Sequence, residues 1–343
     1  MHRRVVVTGL GAVTPIGNTV PEYWEALLAG KNGIGRVTHF DAAAFDSQIA
    51  GEVRDYNAAP FFANPKDSRR AERFIQLAMG AVKEAWKDSG LDGTTFDPER
   101  SGVIISSGIG GIKTMEDQMH IYLEKGPSRL SPFMIPMMIS NIVAGMVAIE
   151  LNLHGPNFSV VSACASACHS VGEAAKMIRG EESDIMICGG TEAAITPLGL
   201  GGFCAMRAVS TQNDRPEAAC RPFDADRTGF ILGEGAAILV LEEYEHARKR
   251  NAPIYGEIVG YGASADAYHL TSPAPGGAGA ARAMRIALSR AGLNPEQIDY
   301  INAHATSTPQ GDIAETQAIK AALGNAARKI PISATKSMIG HLL

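Results

Sequence analysis

Three side chains suited to acyl chemistry stand out in the sequence, and they come from two distant stretches of chain. Cys164 lies in Ser159-Val160-Val161-Ser162-Ala163-Cys164-Ala165-Ser166-Ala167, where an apolar run turns on small residues directly into a helix-forming segment. Such an elbow predicts a sulfur exposed at a helix N-terminus. There the macrodipole and free backbone N–H groups favour thiolate, and the cysteine's own N–H can meet a developing oxyanion. The alternative for this residue type is a buried, inert thiol, which is the expectation for Cys188 and Cys204. His304, in Asn302-Ala303-His304-Ala305-Thr306-Ser307-Thr308-Pro309, and His341, in Lys336-Ser337-Met338-Ile339-Gly340-His341, each follow a short apolar strand. Either histidine alone reads as an ordinary surface or core residue. Together with a cysteine nucleophile, and placed at strand C-termini where open α/β sheets bind ligands, they make an acyl-transfer constellation.

Other chemistries lack their residues. Cys168 and His169 suggest a metal pair, but no further ligands stand at suitable spacing, so no metal is expected. Gly9 and Gly11 follow a strand as in a dinucleotide fingerprint, yet Thr14 and Pro15 occupy the place of the third glycine and no acid closes the next strand. Walker, H-E-x-x-H and EF-hand patterns do not occur, and no cofactor is expected.

The elements that position these residues read as α/β. With 45% hydrophobic and 20% charged residues, the chain of 343 has the composition of a globular protein. The net charge of −5 argues against a nucleic-acid partner, which needs clustered positive charge. Five cysteines without a C-x-x-C pair fit a reducing, cytoplasmic setting. The apolar opening is read as a strand rather than a leader. The segment 134–153, interrupted by Pro136, Ser140, Asn141 and Glu150, is read as a buried or interface helix rather than a membrane span.

A repeat is visible. Val7-Thr8-Gly9-Leu10-Gly11-Ala12 recurs as Ile258-Val259-Gly260-Tyr261-Gly262-Ala263; the helical runs 78–91 and 283–293 each end at a Gly-Leu cap; and Phe158–Cys164 parallels Ile330–Lys336. Two homologous halves, 1–252 and 253–343, are therefore expected, with mostly parallel sheets covered on both faces by helices such as 72–89, 165–179 and 278–291. The second copy stops at Leu343, ahead of a counterpart of the strand 184–188, so the second half is expected to be incomplete and the segment alone poorly soluble.

Over its length the chain resembles the elongating β-ketoacyl-acyl carrier protein synthases, most nearly their type II members. The resemblance rests on the Cys164 elbow, Gly189-Gly190-Thr191-Glu192, Arg221-Pro222-Phe223-Asp224, Gly229-Phe230-Ile231-Leu232-Gly233-Glu234-Gly235-Ala236, the His304 loop with Thr306 and Thr308, and Lys336 with Gly340-His341. It implies a thiolase-like fold of two duplicated halves in five αβαβα layers, a homodimer, and condensation of acyl-carrier protein with malonyl-carrier protein through an acyl-cysteine. Where the family usually reads Asn-Ala-His-Gly-Thr this chain has Ala305, and the family's late glycine-rich loop with a phenylalanine gate is absent.

By the same resemblance Cys164 takes the acyl group, His304 and His341 hold the malonyl thioester carbonyl, and Lys336 adds positive field. Thr306 and Thr308 border the substrate, Ile109 and Phe203 line the acyl slot, and Phe133 reaches into a partner subunit's pocket. Lys66, Arg69, Arg70 and Arg73 at helical spacing, with Arg207, form a local basic patch for an acidic carrier protein; the plainer reading is a solvated face. Within the family a polyketide ketosynthase is the alternative, although its usual Thr-Ala-Cys-Ser-Ser elbow and longer multidomain chain are not seen here. A non-catalytic chain-length factor is disfavoured by Cys164, and a thiolase by the two histidines.

Overall fold

The computed structural model describes residues 3–343; Met1 and His2, at the start of the expected first strand, lie outside them. Ten strands are present among the described residues: β1 (Val5–Val13), β2 (Ile34–Arg36), β3 (Ile49–Gly51), β4 (Ser101–Ser106), β5 (Asn157–Phe158), β6 (Ile185–Glu192), β7 (Gly235–Glu243), β8 (Gly256–Glu257), β9 (Ile301–Asn302) and β10 (Ile332–Ser333). The helices are α1 (Val20–Leu28), α2 (Arg73–Asp88), α3 (Ile112–Lys125), α4 (Met134–Met138), α5 (Ile142–Leu151), α6 (Ser166–Arg179), α7 (Pro197–Ala205), α8 (Tyr244–Lys249), α9 (Ala278–Ala291), α10 (Pro309–Leu323) and α11 (Lys336–Ile339).

The main sheet has the order β5-β4-β6-β7-β1-β8. Its strands are apolar on both faces because both faces are covered. Val103, Ile105, Ile185 and Ile187 pack with α2 and α5, while the alternating Ile104, Met186 and Cys188 pack with Ala174, Ala175 and Ile178 of α6. The expectation of a mostly parallel sheet needs correcting. β4 runs parallel to β5 and β6, but β7 is antiparallel to β6 and β1, and β8 to β1. The cause is the excursion 193–234, which leaves β6 at Glu192 and returns at its register partner Gly235, so the chain re-enters from the same end of the sheet and must run backwards.

The repeat reappears as packing. A Cβ on Gly9 or Gly11 would collide with the carbonyl oxygens of Ala85 and Ala81 on α2, and one on Gly260 or Gly262 with those of Ala287 and Ala283 on α9. Each half thus presses a G-x-G backbone onto a helix at positions four residues apart. Both helices end at glycines of positive φ, Gly90 at +67° and Gly292 at +66°, as the Gly-Leu caps predict. The copies differ at their strands. The run 258–263 leaves the sheet after β8 and forms none, while β9 and β10 pair in parallel as expected.

The segment 134–153 is not one helix. α4 has no buried residue, the chain breaks at 139–141, and α5 buries Val143, Ala144 and Val147 with α2. No helix of the described residues is long and apolar enough to cross a membrane.

The basic face also differs from expectation. Lys66, Arg69 and Arg70 are exposed on a 3₁₀ turn (Pro65–Arg70), but Arg73 begins α2 and turns inward. Its guanidinium donates to Glu234 at 2.7 and 3.0 Å and to the Val53 carbonyl. The reason is Glu234, only 1% exposed, whose charge needs a partner. Arg73→Ala strands that carboxylate, and urea denaturation should show a loss of about 3 kcal/mol, against less than about 1 kcal/mol for Arg69→Ala.

Candidate active site

The elbow forms as expected, with one shift. Ala163 takes φ +51°, a strained value for a residue with a Cβ, and Ser166 secures the turn by accepting from the Ser162 N–H at 2.9 Å and donating to the Ala163 carbonyl at 2.7 Å. The helix itself begins at Ser166 with Ala165 as its N-cap, so Cys164 stands just outside it, its residue exposed at the surface while its sulfur faces His341 and the packed site. A second brace comes from His169, whose Nδ1 lies 2.6 Å from the Ser162 hydroxyl and whose ring meets Tyr261 edge-on. Cys168 is also exposed; Cys188 is fully buried, as expected, whereas Cys204 is only half-buried.

The two histidines converge on the thiol. His341 Nε2 lies 3.0 Å from Cys164 Sγ, the His304 and His341 rings sit edge-to-face at 5.3 Å, and the ligating atoms of all three lie within 4.8 Å of one another. His341 is held as a strand residue, its N–H donating to the Ile231 carbonyl at 2.7 Å and its own carbonyl accepting from Gly233 at 2.8 Å. Its Nδ1 accepts from the Leu343 N–H, which assigns the ring proton to Nε2, facing the thiol. His304 follows β9 and is fixed through backbone. Glu315 on α10 accepts from the His304 and Ala305 N–H groups at 2.7 and 2.6 Å. Ala305 sits at φ +30°, where the family's glycine would be free of strain.

The motifs around the site turn out to be its scaffold. Ser307, fully buried at φ +71°, accepts from Arg221 N–H through its hydroxyl and from Gly229 N–H through its carbonyl. Asp312 accepts from Ser307 and Phe223 and faces Arg227 at 3.4 Å. Glu315 and Asp312 escaped the sequence reading, because carboxylates eleven and eight residues beyond His304 carry no local signal. Only the first-turn position of Asp312 on α10 was available as a hint.

Charge is scarce at the centre. Burial pushes the Cys164 thiol up; its own N–H and the Lys336 ammonium pull it down, and the push wins. A thiolate favoured by the helix start is therefore not what the structure gives. Burial first, then Lys336, lowers His304 to about 4, although its residue stays exposed at the rim. Burial, His304 and Lys336 hold His341, only 4% exposed, well below the ordinary histidine value. Lys336, at the start of α11, is itself lowered by burial, with Glu315 the main opposing charge. Both imidazoles are thus neutral near pH 7. The three donor atoms are spaced as for a soft metal ion, but the proton on His341 Nε2 and the nearby ammonium oppose a dication. The set suits hydrogen-bond donation to an oxyanion.

The remaining expected residues are placed by their own elements. Ile109, 38% exposed, sits in the turn after β4, and the Thr306 and Thr308 hydroxyls pair at 3.1 Å. Phe203 packs edge-on against Phe230, which packs against His341. Phe133 is exposed with the Arg70 guanidinium 4.9 Å above its ring, and Arg207 is exposed just past α7.

Two family models match the chain, "Beta-ketoacyl synthase, N-terminal domain" over residues 2–247 and "Beta-ketoacyl synthase, C-terminal domain" over residues 255–343. Among curated relatives, a 3-oxoacyl-[acyl-carrier-protein] synthase 2 of Synechocystis sp. is 53% identical, and one of Coxiella burnetii is 52% identical, each over 99% of this chain and 82% of the relative. Among solved structures, a beta-ketoacyl synthase from Burkholderia phymatum aligns at TM-score 0.90 with 36% identity, covering 99% of this chain and 82% of that one. A type II PKS acyl-carrier protein in complex with its ketosynthase aligns at TM-score 0.91 with 34% identity over 100% of this chain and 83% of that one.

Histidines with lowered pKa values cost stability as pH falls, since the unfolded chain takes up protons from about 6.5 downward and the folded one only below about 4 at His304 and lower still at His341. Glu72 and Glu192, each raised to about 7 by burial, act in the opposite direction. The informative quantity is therefore a difference. Between pH 7 and 5 the urea midpoint of wild type should fall relative to that of His341→Gln; parallel curves would show that His341 does not titrate in this way.

Proposed function

The chain belongs to the beta-ketoacyl synthase family, and on that premise we propose that Cys164, His304 and His341 perform the decarboxylative condensation of fatty acid elongation, joining an acyl group to malonyl-acyl carrier protein. The observation that carries the reading is the convergence of two neutral imidazoles on an accessible thiol, with Cys164 Sγ 3.0 Å from His341 Nε2. In the first step the sulfur attacks the acyl thioester carbonyl, and its own N–H serves the oxyanion. The carrier thiol leaves with the cysteine's proton, and an acyl-cysteine remains. In the second, malonyl thioester loses carbon dioxide while its carbonyl oxygen accepts from the two histidines, and the enolate carbon so formed attacks the acyl-cysteine. The carbon–sulfur bond breaks, the released Cys164 thiolate takes a proton from water, and 3-oxoacyl-carrier protein departs.

Neutral N–H donors suit this chemistry because negative charge develops in a site already near Lys336, whose field favours it without giving up a proton. A thiol pushed up by burial reacts as thiolate only fractionally; the Lys336 field and the His341 contact offset part of that cost.

Ile109 and Phe203 are read as walls of the acyl slot, and Thr306 and Thr308 as its polar border. Exposed Lys66, Arg69, Arg70 and Arg207 are read as the dock for an acidic carrier protein. The exposed Met119, Leu123, Phe133 and Ile135 of the α3–α4 face support a homodimer, with Phe133 entering the partner's pocket. A boundary near 252 between the two halves is supported by the repeated glycine-on-helix packing. A reducing, cytoplasmic setting is what keeps the exposed Cys164 a free thiol.

Mass spectrometry of the protein mixed with acyl-carrier protein should find one acyl adduct on Cys164. It should be absent in Cys164→Ala and retained in Cys168→Ala; an adduct persisting in Cys164→Ala ends the assignment. Alanine at His304 or His341 should slow carbon dioxide release from malonyl-carrier protein by about 10²–10³, and cysteine acylation far less. Ile109→Phe should reject hexadecanoyl donors while still accepting octanoyl ones, measured as adduct formation rates.

A further inference from the structure

Glu192 is a buried carboxylate that the reaction does not use. It ends β6, is 1% exposed, and lies against the turn that carries Ile109. Its Oε2 accepts from the Gly108 N–H at 2.8 Å and the Ile109 N–H at 3.1 Å, and its Oε1 accepts from the Ser107 hydroxyl at 2.9 Å. Ser107 Oγ in turn accepts from the Gly110 N–H at 2.8 Å. Every amide from 108 to 110 therefore ends, directly or through one hydroxyl, on this side chain.

The turn is confined on its other sides. A Cβ on Gly108 would lie 3.6 Å from the Ala163 carbonyl of the elbow, and one on Gly110, at φ +76°, would lie 2.7 Å from the Met138 carbonyl. Released from its carboxylate, the turn has nothing else holding its amides. Ile109, partly exposed and next to Gly108 against the elbow, moves with it.

We propose that Glu192 is a positioning residue that holds Ile109 in place and thereby sets which acyl chain lengths Cys164 accepts. This rests on the reading of Ile109 as a wall of the acyl slot. The ionised carboxylate, the form that prevails above the value of about 7 to which burial raises Glu192, only accepts; the amide of glutamine keeps the volume but turns an NH2 donor toward groups that are themselves donors at any pH, so the comparison is made at pH 8. Freeing Ile109 opens the slot, so long chains gain over short ones.

The test compares rates of Cys164 adduct formation from octanoyl- and hexadecanoyl-carrier protein in wild type, Glu192→Gln, Ser107→Ala and Ile109→Phe. The readout is the ratio of the two rates, because a general loss of folded protein lowers both and leaves it unmoved. Glu192→Gln should raise the hexadecanoyl-to-octanoyl ratio by about tenfold, and Ser107→Ala, which removes one link, by about threefold. Where Glu192→Gln does not fold, Ser107→Ala decides alone. A ratio within twofold of wild type in these variants, while Ile109→Phe shifts it, overturns the role of Glu192 and leaves the slot intact. An unmoved ratio in Ile109→Phe removes the slot reading and the proposal with it.

Discussion

Everything this site can do depends on holding His341 against Cys164 across 177 residues of chain. No helix or sheet of the second half does that holding. The segment 229–235 does, pairing with His341 through Ile231 and Gly233 as a strand pairs with its neighbour, while Gly51 pairs along its other side with Leu232 and Glu234. Glycine is required at Gly51 and Gly233 because the Ile339 carbonyl fills the space where their side chains would stand. The buried Glu234, paired with Arg73 and bonded to Val53, fastens the segment to α2. A histidine held through its backbone keeps its ring free for chemistry, and Phe230 against its face limits how that ring can turn.

The same frame explains the electrostatics. Carboxylates are abundant around the site but spent on backbone amides: Glu315 on the His304 loop, Asp312 on Ser307 and Phe223, Glu192 on the Ile109 turn. Each holds a loop by accepting from N–H groups, so their charge is largely taken up by backbone donors, though Glu192 still bears on Cys164 and Glu315 on Lys336. What lies beside the Cys164 sulfur is neutral imidazole and the field of one ammonium, and burial with Lys336 keeps the imidazoles uncharged.

The duplicated architecture assigns these tasks to different halves. The first carries Cys164 on the elbow between β5 and α6, and the second carries His304 and His341 after β9 and α11. The long excursion between β6 and β7 belongs to the first half but contacts both, and it is also what turns β7 antiparallel.

The sequence by itself determined the pieces whose cause is local. Small residues around Cys164 specify an elbow, Gly90 and Gly292 specify where α2 and α9 stop, and the paired G-x-G runs reveal a duplication, because each depends on the conformational freedom of a few adjacent residues. The family motifs named the cysteine and both histidines, though not the reason for Gly229 to Ala236 or Arg221 to Asp224. Tertiary structure decided what depends on distant partners. Arg73 could not be told from its exposed basic neighbours until Glu234, 161 residues away, claimed its guanidinium. Glu315 shows no local pattern because its partners are backbone amides eleven and ten residues away, and the motif holding Glu192 does not reveal that its partners lie in the turn 107–110. The protonation of Cys164 and the histidines follows from burial rather than from position beside a helix, since desolvation is set by everything packed around a group, which no local stretch of sequence records.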